Sequence, residues 1–552
     1  MKKKFLAITI LAAACSLQSM AQSSAPSVKS NSEVNPILPY NLCADPTAVE
    51  YNGRIYIYGT NDQQELETTG DKTKNTYGKI TQLVCMSSAD LVNWTFHGVI
   101  DVKSLSPWIA TSWAPSIVSR EEEDGLTHFY LYYTNTASGI GVLTSTSPTG
   151  PWKDPLGKAL INGSTPGRGE QSNIIDPGVC IDDNGQGWLT FGGGDPNKYG
   201  TKLMPGNARI VKLGKDMISL DGEMKPIPAP FHFEANELNY INGKYVFSYS
   251  GGWSCNATDW STYEGRDSYA CPGNCSIMAM ITDDPINGTW KYKGEILKNP
   301  GTFGYPWGNN HSHLQKFGDN YYMTYHTQYL ESKLGLSGGY RGIAINKATV
   351  NETTGYITAS MTNAGPAMIA ENCPLANQRI EAETIANCSD IKMAKTTSRN
   401  RDIVVTGIDD GDWIMIRGIK FTEDARSVSV RLKGKGTIKV YKSRMGGTPL
   451  ATGEFNNSKL EDFTMDLSDV IPEGTTYANL FFVFYDTVAT SPIQFDNYQF
   501  NSQTAEEVTA IEDVKAEETS EIDGPVYNIN GQRVNSNAKG LVIKNRRAQI
   551  VK

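Results

Sequence analysis

The chain has no basic cluster. Its 50 Lys and Arg are outnumbered by 59 Asp and Glu, for a net charge of −9, which argues against a nucleic-acid partner. Beyond the N-terminus no apolar run is long enough to cross a bilayer, so no transmembrane segment is expected. Zinc-type Cys/His spacing is absent as well. What remains is a chain of 552 residues, too long for one ordinary core, so two or three domains are expected. It is 39% hydrophobic and 20% charged, with 27 Tyr, 10 Trp and 52 Gly. That mixture favours turn-rich β structure with exposed aromatic surfaces, a texture shared by many carbohydrate-handling proteins.

The first residues, MKKKFLAITILAAACSLQSMAQS, combine a basic start, an apolar run and Ser19-Met20-Ala21 before Gln22. This reads as a secretory signal over 1–21, followed by a linker over 22–34. Cys15 in AAAC leaves open a lipid-attachment reading. Export permits disulfides among the eight cysteines left after Cys15. Cys255, Cys271 and Cys275 cluster in a Gly-rich loop and Cys373 lies near Cys388, but spacing does not pair them.

One pattern recurs five times: DPTAVEYNGRIYIYGT from Asp45, APSIVSREEEDGLTHFYLYYT from Ala114, DPGVCIDDNGQGWLTFGG from Asp176, EANELNYINGKYVFSYS from Glu234, and HSHLQKFGDNYYMTYH from His311. Each is a polar start, an apolar strand, a tight turn and an aromatic-rich alternating strand. The repeats stand roughly 60 to 75 residues apart, a spacing that suits four-stranded propeller blades with long loops. The expected fold is all-β: a five-bladed β-propeller over 35–372 rather than a sandwich of hairpins. In a propeller the first strand of each blade lines the central channel, so Asp45, Asp176 and Glu234 would converge on one pocket. Carboxylates that close repel one another and raise the pKa of at least one. A protonated acid beside an ionised base is what glycosidic cleavage needs. The competing reading is that Asp-Pro at a strand start merely caps a turn.

These segments, in this order from about Asn35 to Ala370, resemble glycoside hydrolase family 43, whose members are five-bladed propellers. The resemblance implies Asp45 as general base, Glu234 as general acid and Asp176 as the residue that tunes the acid and orients the sugar. SWAPSI supplies the family's pocket Trp as Trp113, and Phe233, beside the acid, joins it as a substrate-binding candidate. NNHSHLQKFGDNYYMTYH supplies a central His, His311, which in relatives holds a metal ion or water, and YRGIAINKATV makes Arg341 a sugar-binding cation. The implied chemistry is single displacement with inversion and requires no cofactor. An insert, GWSCNATDWSTYEGRDSYACPGNC, adds Trp253, Trp260 and Tyr263 near the expected rim.

After Pro374 the texture changes to short alternating strands opened by RIEAETIA and closed by IQFDNYQF. Over 376–501 this is similar to a family 6 carbohydrate-binding module, a jelly-roll sandwich. The resemblance makes Glu381, Glu383 and Asp496 candidates for a structural Ca²⁺, a hard ion suited to oxygen ligands. The module's usual aromatic platforms are missing: Gly407 and NNSKLEDF stand where relatives carry them. An acidic linker over 502–523 leads to a compact β pattern over 524–552, which resembles C-terminal sorting tails of Bacteroidetes. The chain is thus expected outside the cytoplasm: periplasmic, on the cell surface or secreted.

The resemblance implies an exo-acting hydrolase removing pentoses from plant cell-wall xylan, with α-L-arabinofuranosyl branches of arabinoxylan preferred over β-xylosyl ends. Arabinan cleavage and a non-catalytic glycan-binding propeller are the alternatives; the three acids argue against the latter. A retaining hydrolase acting on fructans would need an Asn-Asp-Pro nucleophile motif, and none is present.

Overall fold

The computed structural model describes residues 24–169, 173–194, 201–396 and 403–509, together with the backbone of four short strands between 526 and 551. The signal segment 1–21 and most of the acidic linker lie outside the described residues, and of the sorting-tail segment only a small four-stranded sheet is described.

Five four-stranded antiparallel sheets form the propeller. Their innermost strands are Ala44–Tyr51, Trp113–Glu121, Gly178–Ile181, His232–Ile241 and Ser312–Phe317. The local chemistry explains the hairpins. In blades 1 and 4 the turn is Asn-Gly with both residues at positive φ: Asn52 (49°) and Gly53 (71°), Asn242 (46°) and Gly243 (81°). That twist matches the flanking strands and sets the pairs Tyr51–Arg54 and Ile241–Lys244. Between consecutive blades, alternate side chains of both sheets fill an apolar wedge. Val49, Tyr58, Ile117 and Leu131 fill the first, and Leu314, Met323, Val246 and Ile281 the fourth.

The ring closes without a shared strand. The buried side chain of Asn35 donates to the carbonyls of Ile345 (2.9 Å) and Thr362 (2.8 Å) and accepts from the Ile345 amide (2.9 Å). The first described segment is therefore no free linker, contrary to the expectation for 22–34. Lys29 is buried and its Nζ donates to the carbonyls of Val34 (2.5 Å) and Pro36 (2.7 Å). Ser27 donates to Asn387 (2.7 Å), so this stretch wedges between propeller and sandwich.

The sandwich domain is one nine-stranded sheet, seven strands in a single path with two more paired alongside it. The strand Ala425–Lys442 pairs through its first half with Gln494–Asn501 and through its second with Thr476–Tyr485. It changes partner at Gly434 (φ 115°), where a Cβ would fall 2.8 Å from the Ile493 Cα. The fifth inter-blade wedge, where the ring closes, runs on into this domain: Ile57, Met86, Trp94 and Ile345 share a core with Trp413, Met415, Tyr441 and Phe481. Thr384–Ile385 adds a fifth strand to the outer edge of blade 1. Trp413, 2% exposed, also donates to the Ala25 carbonyl (2.7 Å). Trp413→Ala is expected to weaken docking of the sandwich by about 3 kcal/mol. Calorimetry should then show an earlier, separate unfolding transition, and an unchanged single transition would contradict this coupling.

All eight described cysteines are free thiols, five of them buried.

Candidate active site

At one end of the propeller channel lies a cavity of about 190 Å³ lined by Asp45, Tyr77, Trp113, Asp176, Glu234, Asn310, His311 and Arg341 among others. A repeated backbone device builds it. Asp45 (φ 51°), Ala114 (34°), Asp176 (51°) and Ala235 (61°) all take left-handed conformations where the inner strands begin. The pairing slips beside three of them, between Ala44 and Thr47, Trp113 and Ser116, and Glu234 and Glu237. Such a bulge re-aims side chains into the cavity. Each strained residue is held by its amide. Asp45 N–H donates to His326 Nδ1 (3.1 Å), Ala114 to Thr60 Oγ1 (2.8 Å), and Asp176 to Thr134 Oγ1 (2.9 Å). In blade 4 the acceptor is Asp176 Oδ2, 2.7 Å from the Ala235 amide.

The three acids therefore do not occupy equivalent positions, as the repeat suggests. In the structural frame Ala235 matches Asp45 and Asp176, and Glu234 sits one residue earlier, in line with Trp113 and Ile175. All of them still line the cavity, because the bulge turns the chain between the two positions.

The charge arrangement is asymmetric. Burial pushes the Asp45 carboxyl up, but Arg341, with His311 and His326 beside it, holds it well below the usual carboxylate range. Arg341 Nη1 donates to Asp45 Oδ1 (2.8 Å) and Thr60 Oγ1 donates to Asp45 Oδ2 (2.7 Å). Glu234 goes the other way: burial, then the charges of Asp176 and Asp45, push it up to about 8. Asp176 is itself raised, chiefly by burial. One carboxylate is thus ionised and another protonated at neutral pH within one small cavity.

His311 and His326 divide as sharply. His326 Nδ1 accepts from the Asp45 amide and its Nε2 faces the Asn309 carbonyl (3.2 Å), the pattern of a neutral ring, and burial takes it down to about 4. For His311 burial is outweighed by Asp45, whose Oδ1 lies 3.6 Å from Nδ1, and by Asp176, and it rises to about 9. Its buried Nε2 has no hydrogen-bond partner among the described residues. A metal here would have this imidazole as its protein donor, since no set of three His, Cys, Asp or Glu side chains arranged to hold a metal ion occurs among the described residues. His311 Nε2 is thus the atom through which this residue would hold an ion or a water in the channel.

Arg341 lines the cavity, but most of its guanidinium is committed. Nε and Nη2 grip Asp62 (2.9 and 2.8 Å), a fully buried acid that the sequence reading passed over. The guanidinium also stacks on Tyr77 at 4.9 Å. Tyr77 accepts the Trp113 indole N–H at its carbonyl (2.9 Å), which fixes both aromatics at the mouth. Asp62 and Tyr77 come from the loop and helix inserted within blade 1, outside the repeat that drew attention to the acids. Phe233 is partly exposed and lies outside the cavity lining, against Gly252. Trp260, expected near the rim, is 5% exposed and packs between Phe231, Tyr263 and Tyr292 as core.

In the sandwich domain, Glu381 faces Arg379 (3.0 Å) and Asp496 lies near Arg431 (3.4 Å). Glu383 is buried, its Oε2 has no hydrogen-bond partner among the described residues, and burial, with Glu381 and Asp496 nearby, pushes it up to about 9. That orphaned oxygen fits a hard cation, although the arginines compete for the neighbouring acids.

Residues 34–354 match the model of Glycosyl hydrolases family 43, and residues 381–502 that of Carbohydrate binding module (family 6). The chain is 34% identical over 490 residues to an arabinoxylan arabinofuranohydrolase of Bacillus subtilis, covering 85% of this chain and 92% of that protein. It is 32% identical over 519 residues to one of Paenibacillus polymyxa, covering 91% and 79%. A crystal structure of a Bacillus subtilis family 43 arabinoxylan arabinofuranohydrolase, in complex with cellotetraose, superposes with a TM-score of 0.78 at 33% identity, over 86% of this chain and 99% of that one. With its five blades, its three acids in one cavity and its appended sandwich, the chain belongs to glycosyl hydrolase family 43 and carries a family 6 carbohydrate-binding module.

Proposed function

We propose that this glycoside hydrolase removes α-L-arabinofuranosyl branches from arabinoxylan with inversion at the anomeric carbon. The observation that carries the chemistry is the opposed state of two acids in one cavity, Glu234 raised to about 8 and Asp45 held low. Glu234 protonates the leaving glycosidic oxygen while Asp45 takes a proton from the attacking water on the other face of the sugar. Asp176 keeps Glu234 protonated by like-charge repulsion, and its grip on the Ala235 amide fixes the turn that presents Glu234. Trp113 and Tyr77 offer apolar faces to a sugar ring. A cavity of about 190 Å³ suits one such ring rather than a chain. The arabinoxylan arabinofuranohydrolases to which the chain is similar support the choice of sugar.

The test is chromatography of the sugars released from arabinoxylan and from unbranched xylo-oligosaccharides. Free arabinose from the first and nothing from the second is expected. Xylose from both would make the chain a β-xylosidase with the same acids, and no sugar from either would overturn the reading.

Glu381, Glu383 and Asp496 would hold a Ca²⁺ that neutralises Glu383 and stiffens the sandwich. Chelation is expected to lower the melting temperature by a few degrees, roughly 1–2 kcal/mol for a domain of this size. A melting temperature indifferent to both EDTA and added Ca²⁺ would exclude that ion.

A further inference from the structure

We infer a second binding site, at the seam between propeller and sandwich, that takes a neutral oligosaccharide. A cavity of about 790 Å³ opens there, about four times the volume of the one at the propeller axis. Its walls come from the outer strand of blade 1 (Trp94–Asp101), the helix Asp62–Thr69, residues 26–28 and the sandwich strand Lys392–Lys395. Neither domain forms it alone. Cavities of this size at domain seams are preferred places for ligands. Gly407 and NNSKLEDF, where the sandwich lacks its aromatic platforms, take no part in the lining.

The walls are held from behind. Asp62, which opens the helix, grips Arg341 (2.9 and 2.8 Å) and so fixes its neighbours Asn61 and Gln63 where they line the seam. Tyr40 and Phe96 pack edge to face at 6.1 Å. Gly98 stands at φ 88°, and a Cβ there would fall 3.0 Å from Ile403 Cδ1, so the bare backbone lets the sandwich edge close on blade 1. A lining fixed before the ligand arrives costs little further ordering on binding.

The lining has the chemistry of a sugar chain. Val99 is 42% exposed and Leu334 43%; among the described residues only seven large apolar side chains are exposed in this way, and these two meet at one cavity. Such faces suit the C–H faces of sugar rings. Beside them stand the side-chain amides of Asn41, Asn61, Gln63 and Gln82. Asn61 is buried and gives Nδ2 to Gln82 Oε1 (3.0 Å), but its Oδ1 has no hydrogen-bond partner among the described residues. An acceptor left so costs roughly 1–3 kcal/mol. The charges cancel, with Glu67, Asp101 and Asp390 against Lys333, Lys392 and Lys395. Apolar faces, amides and no net charge point to a neutral polyhydroxyl ligand, and the volume gives room for about three or four rings.

The probe is xylotetraose and the protein is the full chain carrying Glu234→Gln, so that the probe is bound and not cleaved. Hydrogen exchange read by mass spectrometry locates the site: xylotetraose is expected to slow exchange of the amides in 61–67 and 389–395. Adding Val99→Asp or Leu334→Asp puts a charge on an apolar wall at a solvent-facing position and should weaken that protection about tenfold in probe concentration. Leu126→Asp, equally exposed but outside the lining, should leave it unchanged. Exchange in both segments indifferent to xylotetraose overturns the site, as does equal protection in the Val99 and Leu334 variants. The readout involves no hydrolysis, so the site stands or falls apart from the identity of the sugar released.

Discussion

Glu234→Gln is expected to lose at least about 10³-fold in kcat, the scale of a missing general acid, while its circular dichroism and melting temperature stay close to wild type. The amide has the shape of the carboxyl but no proton to give. The pH profile carries the same argument. Activity needs Glu234 protonated and Asp45 ionised, so kcat/KM should hold across neutral pH and fall as pH rises through about 8. The acid limb belongs to Asp45, which Arg341 keeps ionised below the ordinary carboxylate range. Asp176→Asn removes one of the charges that raise Glu234, so its basic limb should move to lower pH. A Glu234→Gln enzyme with near-normal turnover, or a basic limb indifferent to Asp176, would refute the assignment of roles.

Arg341→Met is expected to cost about 3–5 kcal/mol of stability at neutral pH, because breaking a buried pair strands the charges left behind. Asp62 is fully buried and meets Arg341 through two guanidinium nitrogens, and Asp45 takes a third. Without the cation both carboxyls are pushed up by burial and by each other. The sign follows: a raised folded-state pKa favours the protonated acid, so the loss is largest above that pKa and shrinks as pH falls. Urea unfolding at pH 7 and at pH 5 should therefore show a smaller gap between wild type and variant at pH 5. Asp45 would also stop being an ionised base, moving the acid limb of activity upward. A loss below about 1 kcal/mol at pH 7 would mean that the pair is solvated and Arg341 free for sugar.

How far the site can be read from the chain depends on the kind of signal. Asp45, Asp176 and Glu234 stand out because each opens a repeat, and the repeat is set by hairpin chemistry at Asn-Gly turns and alternating apolar residues. The bulge that offsets Glu234 from the other two is invisible there, since Ala235 at φ 61° has no residue signature of left-handed backbone. Asp62 and Tyr77 belong to an insertion with no repeat to flag them, and their part comes from a contact with Arg341 some 280 residues away. Trp260 and Trp307 show the converse: tryptophans in loops look alike in sequence, yet one is core and the other faces solvent. Residues 24–34 lack strand periodicity and read as a linker, although Lys29 and Asn35 pin them through main-chain carbonyls.

The most direct test of the central claim is proton NMR of the first sugar to appear when the enzyme digests arabinoxylan. One acid and one base acting on opposite faces predict arabinose released initially as the β-anomer, opposite to the α-linkage cleaved, before mutarotation mixes the two. Arabinose appearing first as the α-anomer would contradict the account, because retention requires a covalent intermediate and gives Asp45 a different role.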